Sequence, residues 1–179
     1  MVGAMPTRAE QVRAETAAVL DSLRGVWDEE AVDEWDHALQ SAAQAIQDDA
    51  DDELVLAAAL HDIGHSPLLG GPHVDDHSGL AGRWITPRFG SRVGWLAAAH
   101  VAAKKYLAAT DAHYAAALSP TSVASLAAQG GAGADPEFAA HPWHLDALRL
   151  RRYDDAAKDP DAVGAPVTVI LDLAARLAR

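Results

Sequence analysis

Apolar positions recur along most of the chain at the three- and four-residue spacing of helices that pack on one side. Residues 7–24 are the first such segment, and its apolar side consists of Val12, Val19, Leu20 and Leu23. The same spacing predicts further helices at about residues 32–47, 53–63, 76–85 and 91–108, a short one in 118–131, and a longer one that ends near residue 157. The pattern therefore predicts a chain of helices joined by loops.

Proline and glycine mark where several of these helices begin and end. Gly130 and Gly131 stop the short helix, and "GHSPLLGGPH" is a loop by its content of both residue types. Pro142 suits the first turn of the longer helix, which leaves residues 136–141 as a separate short turn. At the C-terminus "VTVIL" could form a short strand, but the pattern of the whole segment "APVTVILDLAARLAR" favours a helix.

The amino-acid composition agrees with this pattern. Half of the residues are apolar, alanine is abundant, and phenylalanine, tyrosine and isoleucine are scarce, which favours helix over sheet. A length of 179 residues suits one domain with a sizeable core. We therefore predict an all-α fold, a helical bundle formed by residues 1–179 as a single domain.

The net charge and the absence of cysteine reduce the number of possible functions. A formal net charge of −12 disfavours general binding to nucleic acid or to an anionic membrane, although a small anionic substrate stays possible where basic residues gather. The sequence has neither the run of about 18 apolar residues of a membrane helix nor a signal-peptide pattern, so we expect a cytoplasmic protein. Because there is no cysteine, disulfides, iron–sulfur clusters and thiolate zinc sites are excluded, and any metal must have nitrogen and oxygen ligands.

The stretch "LAAALHDIGH" ends an apolar helix with His61 and Asp62 side by side. Polar residues at a helix end are ordinary and Gly64 is a good helix stop, so this pair alone is weak support for a metal site. Other helices carry the same ligand types, namely His37, His77, His100, Asp154 and Asp155. A bundle can gather such side chains into one interior site, and four histidines with two aspartates suit two metals bridged by a carboxylate.

The order His37, His61–Asp62 and Asp154 resembles the H…HD…D pattern of the HD-domain superfamily, and His77 and His100 resemble the additional ligands of its two-metal branch. More specific strings surround them: "HALQSA", "LAAALHDIGH", "FGSRV", "HVAAKKYL", "YAAALSPTSVASLAAQGG" and "LRRYDDAAKDP". Together, over about residues 25–160, they resemble the HD-domain phosphonate-degradation oxygenases, which are relatives of myo-inositol oxygenase with a mixed-valence diiron centre.

This resemblance implies two iron ions in the Fe(II)/Fe(III) state. The ligands of one iron would be His37, His61, Asp62 and Asp154. The second iron would be held by His77 and His100, with Asp62 as the bridge. Asp154 is preferred over Asp155 because the family's ligand stands first in this pair of aspartates.

The resemblance also implies a set of substrate-binding residues, namely His65, Lys104, Ser122, Ser125 and Arg151. Lys104 and His65 are the candidate catalytic residues among them. Cationic side chains with hydroxyls are also sensible ligands for an oxyanion, and the spacing of Lys104 from His100 places both on one helix face. The alternatives are an ordinary surface lysine at Lys104 and an ordinary helix start at the two serines.

One position departs from the family. Better-known members carry a metal-ligating tyrosine ten residues before the first histidine, and this chain has Trp27 there, whose indole has no oxygen to donate. Glu30 does match the family's glutamate, which contacts the ammonium group of amine substrates. Trp27 could wall the pocket, face a cationic substrate group or pack as an ordinary aromatic residue.

The resemblance implies that O2 is used to cleave the C–P bond of a 1-hydroxyphosphonate, releasing phosphate and a carboxylic acid such as glycine. The expected substrate is 2-amino-1-hydroxyethylphosphonate or an N-methylated form of it. One alternative is an HD-type phosphohydrolase acting on a phosphomonoester or nucleotide, since the same ligands can activate water. Another is a metal- or ligand-binding module without catalysis.

Overall fold

The computed structural model describes residues 5–28 and 31–179, and within them it has eleven α-helices and no strand, which confirms the predicted all-α fold. The helices are α1 Arg8–Asp21, α2 Glu34–Gln47, α3 Asp52–Leu60, α4 His77–Phe89, α5 Ser91–Ala98, α6 His100–Thr110, α7 Ala112–Ala117, α8 Pro120–Ala128, α9 Pro136–Ala140, α10 His144–Ala156 and α11 Val167–Leu177. A 3₁₀ turn at Ile63–His65 follows α3.

Side-chain caps explain where the first helices begin. Thr7 accepts a hydrogen bond from the backbone N–H of Glu10, whose carboxylate accepts one in return from the backbone N–H of Thr7. Asp33 and Asp51 cap α2 and α3 in a similar way. Each cap satisfies a backbone donor that the first helical turn leaves free, and such a cap stabilises a helix by about 1 kcal/mol.

The centre of the bundle is formed by α3 and α10. Every residue of α3 from Leu54 to Leu60 is buried, and most of its last turns are alanine, so neighbouring helices approach closely. Helix α3 contacts α2 and α5, while α10 contacts α2 and α6. The C-terminal end of α3 therefore lies in the interior, where four other helices surround it.

Helices α4 and α5 pack closely because glycine stands at their contact. A Cβ atom on Gly94 would lie 2.0 Å from Oγ1 of Thr86, so no larger residue fits there without a shift of the helices. Helix α4 also runs farther than the sequence pattern predicts, through Pro87 to Phe89. Phe89 is fully buried, and the burial of this side chain stabilises the extra turn by about 2 kcal/mol or more.

The predicted helix over residues 91–108 is divided into α5 and α6, with Ala99 between them. This break places His100 at the first position of α6. Helix α7 was not predicted, and Asp111 caps it by accepting from the backbone N–H groups of His113 and Tyr114. The C-terminal segment is the helix α11, so the strand alternative was wrong. In the described part of the chain, no helix is long and apolar enough to cross a bilayer.

Candidate metal centre

Four ligand-type side chains meet where α2, α3 and α10 come together. His37 comes from α2, His61 and Asp62 from the end of α3, and Asp154 from α10. One possible ligand atom of each lies within 4.8 Å of those of the other three. His37, His61 and Asp154 are all at least 98% buried, so this cluster of polar groups lies in the interior of the bundle.

The orientation of three imidazoles is fixed by backbone carbonyls. The Nδ1 atom of His37 lies 2.9 Å from the carbonyl oxygen of Ala157, and that of His61 lies 2.8 Å from the carbonyl of Ala58. His100 makes the same kind of contact with Ala97 at 2.6 Å. Because a carbonyl only accepts, each Nδ1–H donates, and in the neutral ring the lone pair of Nε2 points into the site. Metal-binding histidines have this arrangement.

The Nε2 atoms of these histidines approach one another in two pairs. Those of His37 and His61 are 3.3 Å apart, and those of His77 and His100 are 3.1 Å apart. Two nitrogen lone pairs at this distance repel each other unless a cation lies beside both. The residues therefore fit metal ions better than they fit a hydrogen-bonded polar core.

Asp62 lies between the two pairs. Its Oδ2 atom is 3.1 Å from Nε2 of His61, and its Oδ1 atom is 3.2 Å from Nε2 of His100 and 3.6 Å from Nε2 of His77. Within the described residues this buried Oδ1 has no hydrogen-bond partner. A buried carboxylate oxygen without a donor is unfavourable, and a metal ion would satisfy it. One carboxylate can thus serve both pairs.

The electrostatics of the cluster favour positive charge. Burial acts to raise the pKa of Asp62 and of Asp154, but nearby cations outweigh it. His61 and His100 hold the pKa of Asp62 well below its usual range. Arg151 and His61 do the same for Asp154. Burial also acts to lower the pKa of His61, yet Asp62 and Asp154 raise it to about 10. Two permanent carboxylates in the interior therefore attract protons or metal ions to the histidines.

His77 is held against the 3₁₀ turn that follows Asp62. A Cβ atom on Gly64 would lie 2.0 Å from the backbone oxygen of His77, so only glycine allows this contact. The ring of His65 stacks on that of His77 with centroids 4.4 Å apart. Burial and the neighbouring histidines lower the pKa of His77 to about 4, which leaves the imidazole neutral and able to bind a metal near pH 7.

A cationic region adjoins the cluster on the side of α6 and α10. Arg151 donates from Nη1 to Oδ2 of Asp154 at 2.7 Å, and Lys104 donates from Nζ to Oγ of Ser125. Burial and the charge of Arg151 lower the pKa of Lys104 to about 8. Lys104 and Arg151 are both buried, so an anion that reached them would lose most of its contact with water.

Two comparisons with known proteins bear on this site. The hydroxymethylphosphonate dioxygenase of Gimesia maris is 37% identical over 164 residues, covering 85% of this chain and 80% of that protein. The [1-hydroxy-2-(trimethylamino)ethyl]phosphonate dioxygenase (glycine-betaine-forming) of Leisingera caerulea is 31% identical over 160 residues, covering 80% and 82%. The chain belongs to the hydroxyphosphonate dioxygenase family. No family model matches the chain.

Membership of the hydroxyphosphonate dioxygenases makes the protein an oxygenase and so an oxidoreductase, as predicted. The phosphohydrolase alternative is not favoured, since both relatives are named dioxygenases. The cluster of histidines and aspartates agrees with metal binding and the use of O2 in this family.

All six residues that were predicted to bind metal lie close together in the structure, namely His37, His61, Asp62, His77, His100 and Asp154. It also places His65 in a group of possible ligands with Asp62 and His77. Nε2 of His65 lies 3.6 Å from Oδ2 of Asp28, and its buried Nδ1 lacks a partner in the described part of the chain.

The other predicted substrate-binding residues lie in different environments. Lys104, Ser125 and Arg151 are in the cationic region, and Ser122 lines an adjoining cavity of about 270 Å³. The side chain of Trp27 is 58% exposed at the protein surface. Glu30 lies outside the described residues.

The sequence analysis did not identify Glu34, an acidic residue of α2 that is only 1% exposed. Neither of its carboxylate oxygens has a hydrogen-bond partner within the described residues. Burial and the charge of Asp62 raise the pKa of Glu34 to about 8, so the carboxyl is largely protonated at neutral pH. Its position three residues before His37, on the same side of α2, was the signal that could have identified it.

Proposed function

We propose that this protein uses O2 to cleave the C–P bond of a 1-hydroxyphosphonate at a site with two iron ions. The reaction R–CH(OH)–PO₃²⁻ + O2 → R–COO⁻ + HPO₄²⁻ + H⁺ balances without a further reductant. The substrates in the names of the two relatives, hydroxymethylphosphonate and [1-hydroxy-2-(trimethylamino)ethyl]phosphonate, both belong to this class. The acid product would be glycine if the substrate carries a 2-amino group.

The observation that carries the proposal is the position of Asp62 between two converging pairs of histidine Nε2 atoms. In the proposed site, His37, His61, Asp62 and Asp154 would hold one iron. His77 and His100 would hold the other, and Asp62 would be shared between the two. A mixed-valence Fe(II)/Fe(III) pair, when bound, supplies the redox chemistry with O2 that no side chain can perform.

The cationic region next to the cluster would bind the phosphonate group. Lys104 and Arg151 are cations at neutral pH, and Ser125 adds a hydroxyl at the end of Lys104. Because these groups are buried, their attraction for an oxyanion is screened less than it would be at the surface. Binding here would hold the C1 atom of the substrate beside Asp62 and Asp154.

His65 is proposed to contact the substrate on the side opposite the cationic region. Its Nδ1 atom is buried without a partner among the described residues, so it can exchange a hydrogen bond with the bound substrate. The contact with His77 holds the ring in place. Together with Lys104, His65 would therefore orient the reacting carbon and keep water away from it.

We further propose that the substrate carries an amino or N-methylated amino group at C2, bound near Glu30 and Trp27. The charges of Asp62 and Asp28 both act to raise the pKa of the buried Glu34, so these three acidic residues lie close together. Acidic side chains at one end and cations at the other suit a substrate with an ammonium group and a phosphonate. We propose that residues 1–179 form a single domain that contains this site, because the first and last helices of the chain, α1 and α11, pack together.

Phosphate release by iron-loaded protein tests the proposal. The substrates are hydroxymethylphosphonate, 2-amino-1-hydroxyethylphosphonate and its N-trimethyl form, each with and without O2, with iron content measured in the same preparation. We expect about two irons per chain, and phosphate only when O2 is present. Asp62→Asn should lose both iron and activity, while the matched change Asp159→Asn, at an exposed position, should lose neither.

Three outcomes would contradict parts of this proposal. Release of phosphate without O2 from a phosphomonoester would support a phosphohydrolase. Activity with hydroxymethylphosphonate alone would exclude the amino group at C2. Failure to retain metal would leave a binding module without catalysis.

A further inference from the structure

Arg151 is held by two side chains that play no part in the metal cluster. Asp155 binds one edge of the guanidinium, with Oδ2 at 3.1 Å from Nε and Oδ1 in contact with Nη2. The hydroxyl of Tyr114 donates to Oδ2 of Asp155 at 2.7 Å and lies 3.1 Å from Nε of Arg151. We call these three residues the inner trio. Tyr114 comes from α7 and the other two from α10, so the trio joins two helices.

The hydrogen bonds of Arg151 can be counted. A guanidinium has five N–H groups. The N–H of Nε donates to both Asp155 and Tyr114. One N–H of Nη2 donates to Asp155, and one N–H of Nη1 donates to Asp154. With respect to the residues that the structure describes, two N–H groups remain, one on each terminal nitrogen, and a buried donor without an acceptor is unfavourable. Arginine commonly binds a phosphonate or phosphate group by donating from two of its nitrogens at once.

We propose that Asp155 and Tyr114 are positioning residues for substrate binding, because they hold Arg151 with two N–H groups directed at the phosphonate oxygens. The inference rests on the proposed function and deepens it. Without the Asp155 carboxylate, the guanidinium is free to turn its bidentate edge toward Asp154. The two terminal nitrogens then no longer face the oxyanion together, so substrate binding weakens while the reacting groups stay the same.

The chain contains a matched control. Arg149 of α10 donates to Oδ2 of Asp48 from Nε at 3.1 Å and from Nη2 at 2.9 Å, and the hydroxyl of Tyr153 donates to the same atom. We call these residues the outer trio. It has the same three residue types as the inner trio, but Asp48 lies after α2 and its side chain is 53% exposed. Changes there test for a general loss of stability.

The experiment compares Asp155→Asn and Tyr114→Phe with Asp48→Asn and Tyr153→Phe in the iron-loaded protein. The measurements are KM and kcat for the hydroxyphosphonate that the wild type converts, iron content, and the Kd of methylphosphonate by calorimetry without O2. Methylphosphonate has no C1 hydroxyl and is a probe of the oxyanion contacts alone. We expect Asp155→Asn to raise KM and Kd about tenfold, with kcat changed less than about threefold and iron content unchanged.

Tyr114→Phe loses both hydrogen bonds of the hydroxyl but keeps the carboxylate of Asp155 on the guanidinium, so KM and Kd should rise less, about threefold. Both outer-trio variants should stay within about twofold of the wild type. Asparagine and phenylalanine are close in size to the residues they replace. If Asp155→Asn did not fold, Tyr114→Phe would decide the question.

Values of KM and Kd for Asp155→Asn equal to those of Asp48→Asn would overturn the inference. So would a fall in iron content with unchanged Kd, because the trio would then act only on Asp154. A wild-type protein that binds methylphosphonate but converts no hydroxyphosphonate would refute the proposed function alone, and the Kd values would still test the trio. Absence of both binding and conversion in the wild type would refute both.

Discussion

The inner and outer trios contain the same three residue types on one helix and differ in where they lie. Arg149 and Arg151 are two residues apart in α10, so their side chains leave different faces. The side chain of Arg149 is 38% exposed and that of Arg151 is 5% exposed. The outer trio joins α10 to the end of α2, whereas the inner trio adjoins the metal cluster.

The comparison shows that chemical type alone does not determine what an ion pair does. An exposed pair gains little, because water and salt screen the charges and the side chains lose mobility when they pair. A buried pair gains little over apolar packing, but the loss of one partner leaves an unpaired charge in the interior. The inner trio is therefore costly to disrupt, and its surplus N–H groups are available for an anion.

The largest effect is expected when Arg151 is removed from the inner trio, and Arg149 of the outer trio is the matched comparison. Arg151→Met leaves Asp154 and Asp155 without their cation, and we expect unfolding free energy to fall by about 3–5 kcal/mol. Loss of a phosphonate-binding cation should also lower kcat/KM by about 10²–10³. Arg149→Met should reduce stability by less than about 1 kcal/mol. Urea unfolding and phosphate release measure the two effects, and equal stability losses would remove the distinction between the trios.

Glu34 sharpens the comparison because it is a buried acid without an arginine. Its pKa of about 8 in the folded protein exceeds the unfolded value of 4.5, so the folded state binds more protons between pH 4.5 and 8. Stability must then fall as pH rises through this window. In metal-free protein, Glu34→Gln should remove the part of this fall that Glu34 causes, and at pH 8 it should be more stable than the wild type by about 4 kcal/mol.

Urea unfolding of metal-free protein at pH 5 and at pH 8 measures this effect. Glu53→Gln is the control, since Glu53 accepts a hydrogen bond from Arg92 at 3.0 Å. This variant should gain no stability at pH 8. A parallel pH dependence in wild type and Glu34→Gln would show that other groups cause it.

Lys104 tests whether the charge beside the inner trio is used in binding. Its pKa of about 8 means that the cation is lost as pH rises through 8. Because kcat/KM reports groups of the free enzyme, it should fall about tenfold per pH unit above pH 8. Lys104→Arg should keep its charge and shift this fall to higher pH. Lys105→Arg, whose lysine donates instead to the carbonyl of Gln129, should leave the profile unchanged.

The smallest effect is expected for Asp48→Asn in the outer trio. This change removes one charge of an exposed pair, so the melting temperature should fall by a few degrees at most. The difference from wild type should shrink in 1 M salt, since the Debye length is then only about 3 Å. Calorimetry at low and high salt measures it, and a loss that does not change with salt would mean that the pair is not screened.

Much of the fold could be predicted because apolar spacing reports burial directly. The helices that contain His37 and precede His61 followed from that spacing, although α3 ends at Leu60 rather than near residue 63. The break at Ala99 could not be predicted, because alanine is the best helix former and its sequence context favours continuation. The predicted helix stopped near residue 85, but α4 continues through Pro87 to Phe89, whose burial stabilises the extra turn.

The metal cluster was more accessible to sequence reasoning than the residues around it. His37 and His100 were selected because several helices carry ligand-type residues and because the order of these residues resembles the HD-domain pattern. Glu34 did not, since an acidic residue in the first turn of a helix is ordinary. Asp155 and Tyr114 are far apart in sequence, and only the packing of α7 against α6 and α10 brings the hydroxyl to the carboxylate. Residues that only the tertiary fold brings together leave no local pattern in the sequence.

The carbonyl-anchored histidines also have a consequence for folding. His37 and Asp154 stand far apart in the sequence, and this chain has no cysteine with which to join such distant segments. An ion held by both would close a long loop and act as the cross-link that a disulfide provides in other small proteins. Chelation should then loosen the ends of α2, α3 and α10 together, and amide hydrogens there should exchange with solvent faster than those of α11.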